Sequence, residues 1–140
     1  MIPIVQTVYG RKGNCFKAAM ASIFEIEDDL DTLPRNHGSG WEDEWVDWLQ
    51  QFGLTMLCIK TSSGTRYLKD VYWVGTFRCK PTLKHPWPTY HAVVMLGDEI
   101  VWNPQGFGLP HDWGLEKPVH NGWYFIVQDP GTRTRTPIVR

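Results

Sequence analysis

Apolar positions recur at helical spacing in the first third of this 140-residue chain and at strand spacing afterwards. Phe16, Ala19, Met20, Ile23 and Phe24 fall at i, i+3, i+4, i+7 and i+8. This predicts an amphipathic helix over residues 15–26, beginning at or next to Cys15, with Asn14 in the N-cap position. Ser39-Gly40-Trp41-Glu42 fits a capping box, and Trp41, Trp45, Trp48, Leu49 and Phe52 form one stripe of a second helix that Gly53 is placed to end. Leu54 to Lys60, Val71 to Arg78, Tyr90 to Leu96, Glu99 to Trp102 and Trp123 to Gln128 are rich in β-branched and aromatic residues, which predicts strands, with Gly97-Asp98 as a tight hairpin turn. Lys80 to Pro88, with three prolines, is expected as a surface loop. Residues 104–122 are expected as a long loop that could cover a site or dock a partner. Helices first and strands afterwards describe an α+β domain with an antiparallel sheet. Residues 1–128 are expected to form one domain. Residues 129–140, from Asp129-Pro130-Gly131 through alternating Thr and Arg, are expected as a loosely held tail.

Composition narrows the function. Lys plus Arg number 14 against 15 Asp plus Glu, so the overall field offers no general attraction for a phosphate backbone, and nucleic acid is not the expected partner. Aromatic residues make up 14% of the chain, with eight Trp, a large burial payload for this length. Charge is uneven: residues 25–47 carry nine acidic side chains and one basic one, Arg35. Solvated helix surfaces are the expected explanation of that face, with a basic partner or substrate as the alternative. Cys15, Cys58 and Cys79 are too few and too far apart for a disulfide framework, and no Cys or His spacing suits zinc, so neither metal nor cofactor is expected. The N-terminal residues do not read as a signal peptide, and the longest apolar runs are five residues, so a cytoplasmic protein with reduced thiols is expected.

The candidate chemistry starts at Gly13-Asn14-Cys15-Phe16. A thiol at a helix N-terminus feels the positive end of the helix dipole and nearby backbone N–H groups, which favour thiolate; a small preceding residue leaves room for a substrate. A buried structural cysteine is the plainer alternative. Of five His, four lie in Gly/Pro-rich stretches, whereas His91 opens the strand His91-Ala92-Val93-Val94-Met95, and a strand holds a catalytic imidazole better than a loop does. With a turn near Gly97-Asp98, residues 91 and 103 are expected close to opposite one another, so that Asn103 can reach His91. Cys15, His91 and Asn103 then fill the roles of nucleophile, base and orienting residue. Cys58 and Cys79 are expected as small core residues of strands.

These residues resemble the papain-like cysteine peptidases, and within them compact bacterial and phage members similar to the C39 type. The resemblance rests on Gln6, Gly13-Asn14-Cys15-Phe16 with Ala18 and Ala19, His91-Ala92-Val93-Val94 and Ile100-Val101-Trp102-Asn103-Pro104, and spans about Gln6 to Gln105. It implies a papain-like fold in which an N-terminal helix carrying the Cys packs on an antiparallel sheet carrying the His and Asn. It further implies Cys15 as nucleophile, His91 as general base and acid, Asn103 as orienting residue, and Gln6 as an oxyanion-hole donor beside the Cys15 backbone N–H. Two departures stand out: Gln6 precedes Cys15 by nine residues, a longer interval than the family's usual one, and Asn103-Pro104 stands where C39-type members typically have Asp-Pro.

The expected activity is thiol-dependent acyl transfer, as a cysteine peptidase or isopeptidase on a protein or peptide amide bond. Alternatives are a catalytically reduced papain-like binding module or inhibitor, a deamidase or transglutaminase using the same machinery, and a cell-wall amidase similar to the NlpC/P60 branch. No membrane partner is expected.

Overall fold

The computed structural model describes residues 1–9, 12–59, 70–79, 83, 89–97, 99–106 and 115–128, with the backbone alone described at 58, 59, 78, 79, 89 and 115–128. It is an α+β structure. Helix α1 spans Cys15–Phe24, a 3-10 turn follows at Leu30–Thr32, and α2 spans Trp41–Gln50. Five strands come next: β1 Leu54–Ile59, β2 Tyr72–Cys79, β3 Thr89–Leu96, β4 Glu99–Trp102 and β5 Leu115–Gln128. They form one sheet in the order β1-β5-β2-β3-β4, with every neighbouring pair antiparallel.

The helices form where the apolar stripes predict them, with Asn14 at the first N-cap as expected, but neither has a side-chain cap bond. Asn14 occupies the N-cap position of α1 and its carbonyl accepts the Ala18 N–H at 3.0 Å, yet its side chain makes no cap bond. The N-cap of α2 is Gly40, in the left-handed region at φ 76°, so the Ser39 to Glu42 box does not close. The Ser39 carbonyl instead accepts Arg35 Nη2, while Arg35 Nε pairs with Glu44. All nine acidic residues of the 25–47 stretch are exposed, as solvated helix faces would be.

One layer of core lies between the helices and the sheet. Ala18, Ala19, Ala21 and Met20 of α1 are fully buried with Ala92 and Val94 of β3, and Trp45 and Leu49 of α2 are buried with Leu54 and Met56 of β1. Small alanine side chains let α1 approach the sheet closely, which sets how near its first residue comes to β3. Aromatic edges hold the helices together: the Phe16 ring lies 4.9 Å from Trp41 and 5.4 Å from Trp45, and Trp48 contacts Phe24 at 5.8 Å. Trp73, Phe77, Val93 and Met95 are buried as a second cluster. Alternate residues of β3 thus enter different clusters, which accounts for its unbroken apolar run.

Four strands begin and end within one residue of expectation. The exception is β5, which starts at Leu115 rather than Trp123, so the expected loop at 104–122 is shortened by strand from 115 onward. Pro118, Asn121 and Gly122 carry turn signals, but Pro118 meets β2 at Phe77, where the ladder shifts register, and an irregular pairing tolerates a proline. The expected loop at Lys80–Pro88, the tail at 129–140, Asp98 of the turn and residues 107–114 lie outside the described residues, apart from Leu83, which is exposed. Among the described residues no helix is long and apolar enough to cross a membrane.

Trp45 is fully buried between Phe16 and Trp48 and donates its indole N–H to the Arg35 carbonyl at 2.9 Å. Trp45→Ala is expected to cost about 3–5 kcal/mol in urea unfolding, with Trp45→Phe losing distinctly less.

Candidate active site

Cys15 is the first residue of α1, and the Ala92 backbone N–H donates to its Sγ at 3.4 Å. The sulfur therefore sits at the start of β3, against the residue that follows His91. A donor aimed at sulfur and the N-terminal end of the helix both favour negative charge there.

His91 and Asn103 meet, though not as direct cross-strand partners. Val94 pairs with Trp102 while Met95 pairs with Ile100, so β4 holds one extra residue at a bulge and the ladder, extended, would set 103 opposite 93 rather than 91. Asn103 lies one residue beyond β4, where the chain leaves the ladder in a turn closed by the Gly106 N–H on the Asn103 carbonyl at 2.9 Å. Pro104 fits the second turn position, and the Asn103 side chain accepts the Gln105 N–H at 3.0 Å, an Asx turn. The same Oδ1 lies 2.5 Å from His91 Nε2.

That double contact decides the proton on the imidazole. The Gln105 N–H can only donate, so the atom facing it is the carboxamide oxygen and the amide cannot be reversed. An oxygen facing Nε2 requires Nε2 to carry the proton, which leaves the lone pair of neutral His91 on Nδ1. Burial pushes the His91 pKa below its ordinary value of 6.5, against a smaller upward pull from the Asn103 bond. The shift favours the neutral imidazole.

Gln6 joins the cluster from the N-terminal segment. That segment runs along α1, with the Ile2 N–H on the Ser22 carbonyl at 3.1 Å and the Ile4 N–H on Ser22 Oγ at 3.0 Å. It then crosses to the far side of the site: Trp102 Nε1 donates to the Ile4 carbonyl at 2.9 Å, and the Gln6 N–H donates to the Pro104 carbonyl at 2.8 Å. Gln6 is buried, and its Nε2 donates to the Val8 carbonyl at 3.0 Å, leaving one further N–H on that nitrogen. Gln6 Oε1 and Asn103 Nδ2 are buried without a hydrogen-bond partner. Each such atom costs about 1–3 kcal/mol, a penalty that calls for an explanation, and functional sites are one place it is tolerated.

The four residues singled out in the sequence are thus drawn into one neighbourhood. His37 is exposed, and His85, His111, His120 and Trp113 lie outside the described side chains, as do those of Cys58 and Cys79. Among the described residues no three His, Cys, Asp or Glu side chains are grouped to hold a metal ion. Sequence reasoning missed three contributors: the Ala92 N–H, the Gln105 N–H and the Asn14 side chain, which bonds backward to Thr7 and Val8. Backbone donors leave no trace in residue identity, but the Asn103-Pro104 pair is an Asx-turn signal that pointed to the second of them. Comparison with family models, with curated proteins and with solved structures yields no match.

Nitrogen NMR of the histidine ring is expected to show His91 as the Nε2-protonated tautomer at pH 8. Asn103→Leu should relax it toward a mixture of both tautomers, and an Nδ1-protonated ring in the unaltered protein would contradict the assignment.

Proposed function

We propose that this protein is a thiol-dependent acyl-transfer enzyme of papain-like type, a cysteine peptidase or isopeptidase acting on a protein or peptide amide bond. The observation that carries this reading is the held imidazole: His91 Nε2 on Asn103 Oδ1, next to an Ala92 amide that donates to the Cys15 sulfur.

Cys15 Sγ attacks the amide carbonyl carbon, and its proton passes to His91 Nδ1. The resulting imidazolium keeps its Nε2–H on Asn103, whose neutral oxygen orients the ring without neutralising the charge. Burial disfavours a standing imidazolium, so His91 takes the thiol proton as the attack proceeds. The developing oxyanion is met by the remaining Gln6 Nε2–H and the Cys15 backbone N–H at the start of α1. Collapse of the tetrahedral species breaks the C–N bond, and His91 returns its proton to the departing amine. Water, deprotonated by His91, then cleaves the thioester. Replacing water by an amine gives acyl transfer, and a side-chain glutamine amide as substrate gives deamidation, with the same residues in the same roles.

A second reading, a binding module with a papain-like cleft and no turnover, draws on Gln6, whose Nε2 already serves the Val8 carbonyl. A panel of N-acylated dipeptide aminomethylcoumarin amides separates the two. The enzyme reading expects coumarin release, a Cys15-linked acyl intermediate trapped by hydroxylamine, complete loss in Cys15→Ala and a loss of at least about a thousandfold in His91→Ala. Because the base is the neutral form of a histidine with a lowered pKa, the acid limb of kcat/KM should lie below pH 6.5. Neither release nor acylation with any panel member, alongside retained binding of the same peptides in Cys15→Ala, would favour the module.

A further inference from the structure

The nine-residue interval between Gln6 and Cys15 leaves the oxyanion donor a long way along the chain from the nucleophile, and the structure contains a device that shortens it. An asparagine at a helix N-cap ordinarily turns its oxygen forward onto amides of the first turn. Asn14 turns its own backward. Its Oδ1 accepts both the Thr7 N–H at 2.9 Å and the Val8 N–H at 3.0 Å, its Nδ2 donates to Thr7 Oγ1 at 2.8 Å, and its backbone N–H donates to the Val8 carbonyl at 3.1 Å. That carbonyl also accepts Gln6 Nε2 at 3.0 Å. With two lone pairs, the one oxygen is shared between the residue before Cys15 and the Gln6 carboxamide.

We propose that Asn14 is a positioning residue for the oxyanion site, clamping Thr7 and Val8 so that the Gln6 carboxamide is held in register with Cys15. The inference rests on the reading of Gln6 as an oxyanion donor given above. Thr7 and Val8 are themselves exposed, whereas Asn14 is 4% exposed, so hydrogen bonds to Asn14 rather than side-chain burial hold this stretch in place. The clamp closes the chain on itself at residues 7–8 and 14. The long interval in sequence is thereby short in space. An acceptor is what the two backbone amides require, and a carboxylate supplies one equally well, with the Thr7 hydroxyl free to rotate and donate in place of Nδ2.

The test compares Asn14→Ala, Asn14→Asp, Gln6→Ala and the Asn14→Ala/Gln6→Ala double variant. On the coumarin amide cleaved best, Asn14→Ala should lower kcat about tenfold or more with KM little changed, as loss of an oxyanion donor does. The double variant should be no slower than Gln6→Ala, because both changes act through one group. Asn14→Asp should keep the plateau kcat within about threefold while moving the acid limb to higher pH, since a carboxylate close to the site favours the protonated imidazole of His91. Alkylation of Cys15 by iodoacetamide should proceed at the unaltered rate in Asn14→Ala, which separates a misplaced Gln6 from a collapsed site. If Asn14→Ala does not fold, Asn14→Ser, too short to span both amides, carries the same comparison.

An arm independent of turnover reads the clamp itself. The Gln6 side-chain amide protons should exchange with solvent about tenfold or more faster in Asn14→Ala than in the unaltered protein, and at the unaltered rate in Asn14→Asp. Unchanged exchange in Asn14→Ala, or single effects on kcat that multiply in the double variant, would overturn the proposal. An unaltered protein that never acylates Cys15 would overturn the enzyme reading instead, and with it the catalytic part of this one, while the exchange result still decides whether the clamp exists.

Discussion

Close approach of α1 to β3 is the constraint on which the rest of the structure depends. Ala18, Ala19 and Ala21 are fully buried with Ala92 and Val94, and no side chain larger than alanine at those helix positions would allow the same spacing. Because the helix begins at Cys15, its depth against the sheet places the sulfur on the Ala92 amide. The aromatic contacts of Phe16 with Trp41 and Trp45 fix the helix from the opposite side. Two of the chain's eight tryptophans, Trp41 and Trp45, thus pack against the first turn of the helix that carries Cys15.

Around that contact the polar groups are ordered by the backbone. The Asx turn at Asn103-Pro104 chooses which carboxamide atom faces His91, and so chooses the imidazole tautomer. The bulge in β4 takes Asn103 out of direct register, and the turn brings its oxygen back to the ring. The N-terminal segment then ties both halves together, on α1 through Ser22 and on the turn through the Pro104 carbonyl. Each piece is a local hydrogen-bonding preference, and their agreement sets an imidazole held by Asn103 on the residue next to the amide that meets the Cys15 sulfur at a helix end.

Much of this was legible in the sequence, and the parts that were not have physical reasons. The strands and both helices follow from periodicity because burial on a fixed face imposes it. Spacing predicts that Asn103 reaches His91, and it does, but by a turn and not as a cross-strand partner, since a one-residue bulge changes register without altering composition. The cap bonds differ for a related reason. Asn14 does stand at the N-cap of α1, but its side chain turns to Thr7 and Val8, and at α2 a left-handed Gly40 takes the cap position in place of Ser39. The first half of β5 is hidden by Pro118 and Asn121-Gly122, tolerated where its ladder with β2 shifts register around Phe77.

The central claim is that His91 serves Cys15 as a neutral base. The rate of Cys15 alkylation by iodoacetamide, followed by intact mass from pH 5 to 9 in the unaltered protein and in His91→Ala, tests it most directly. The account predicts that the unaltered protein reacts faster across neutral pH, that His91→Ala loses this advantage and shows only the simple rise of an isolated thiol, and that Cys58 and Cys79 label more slowly than Cys15. Superimposable profiles for Cys15 in the two proteins would contradict it.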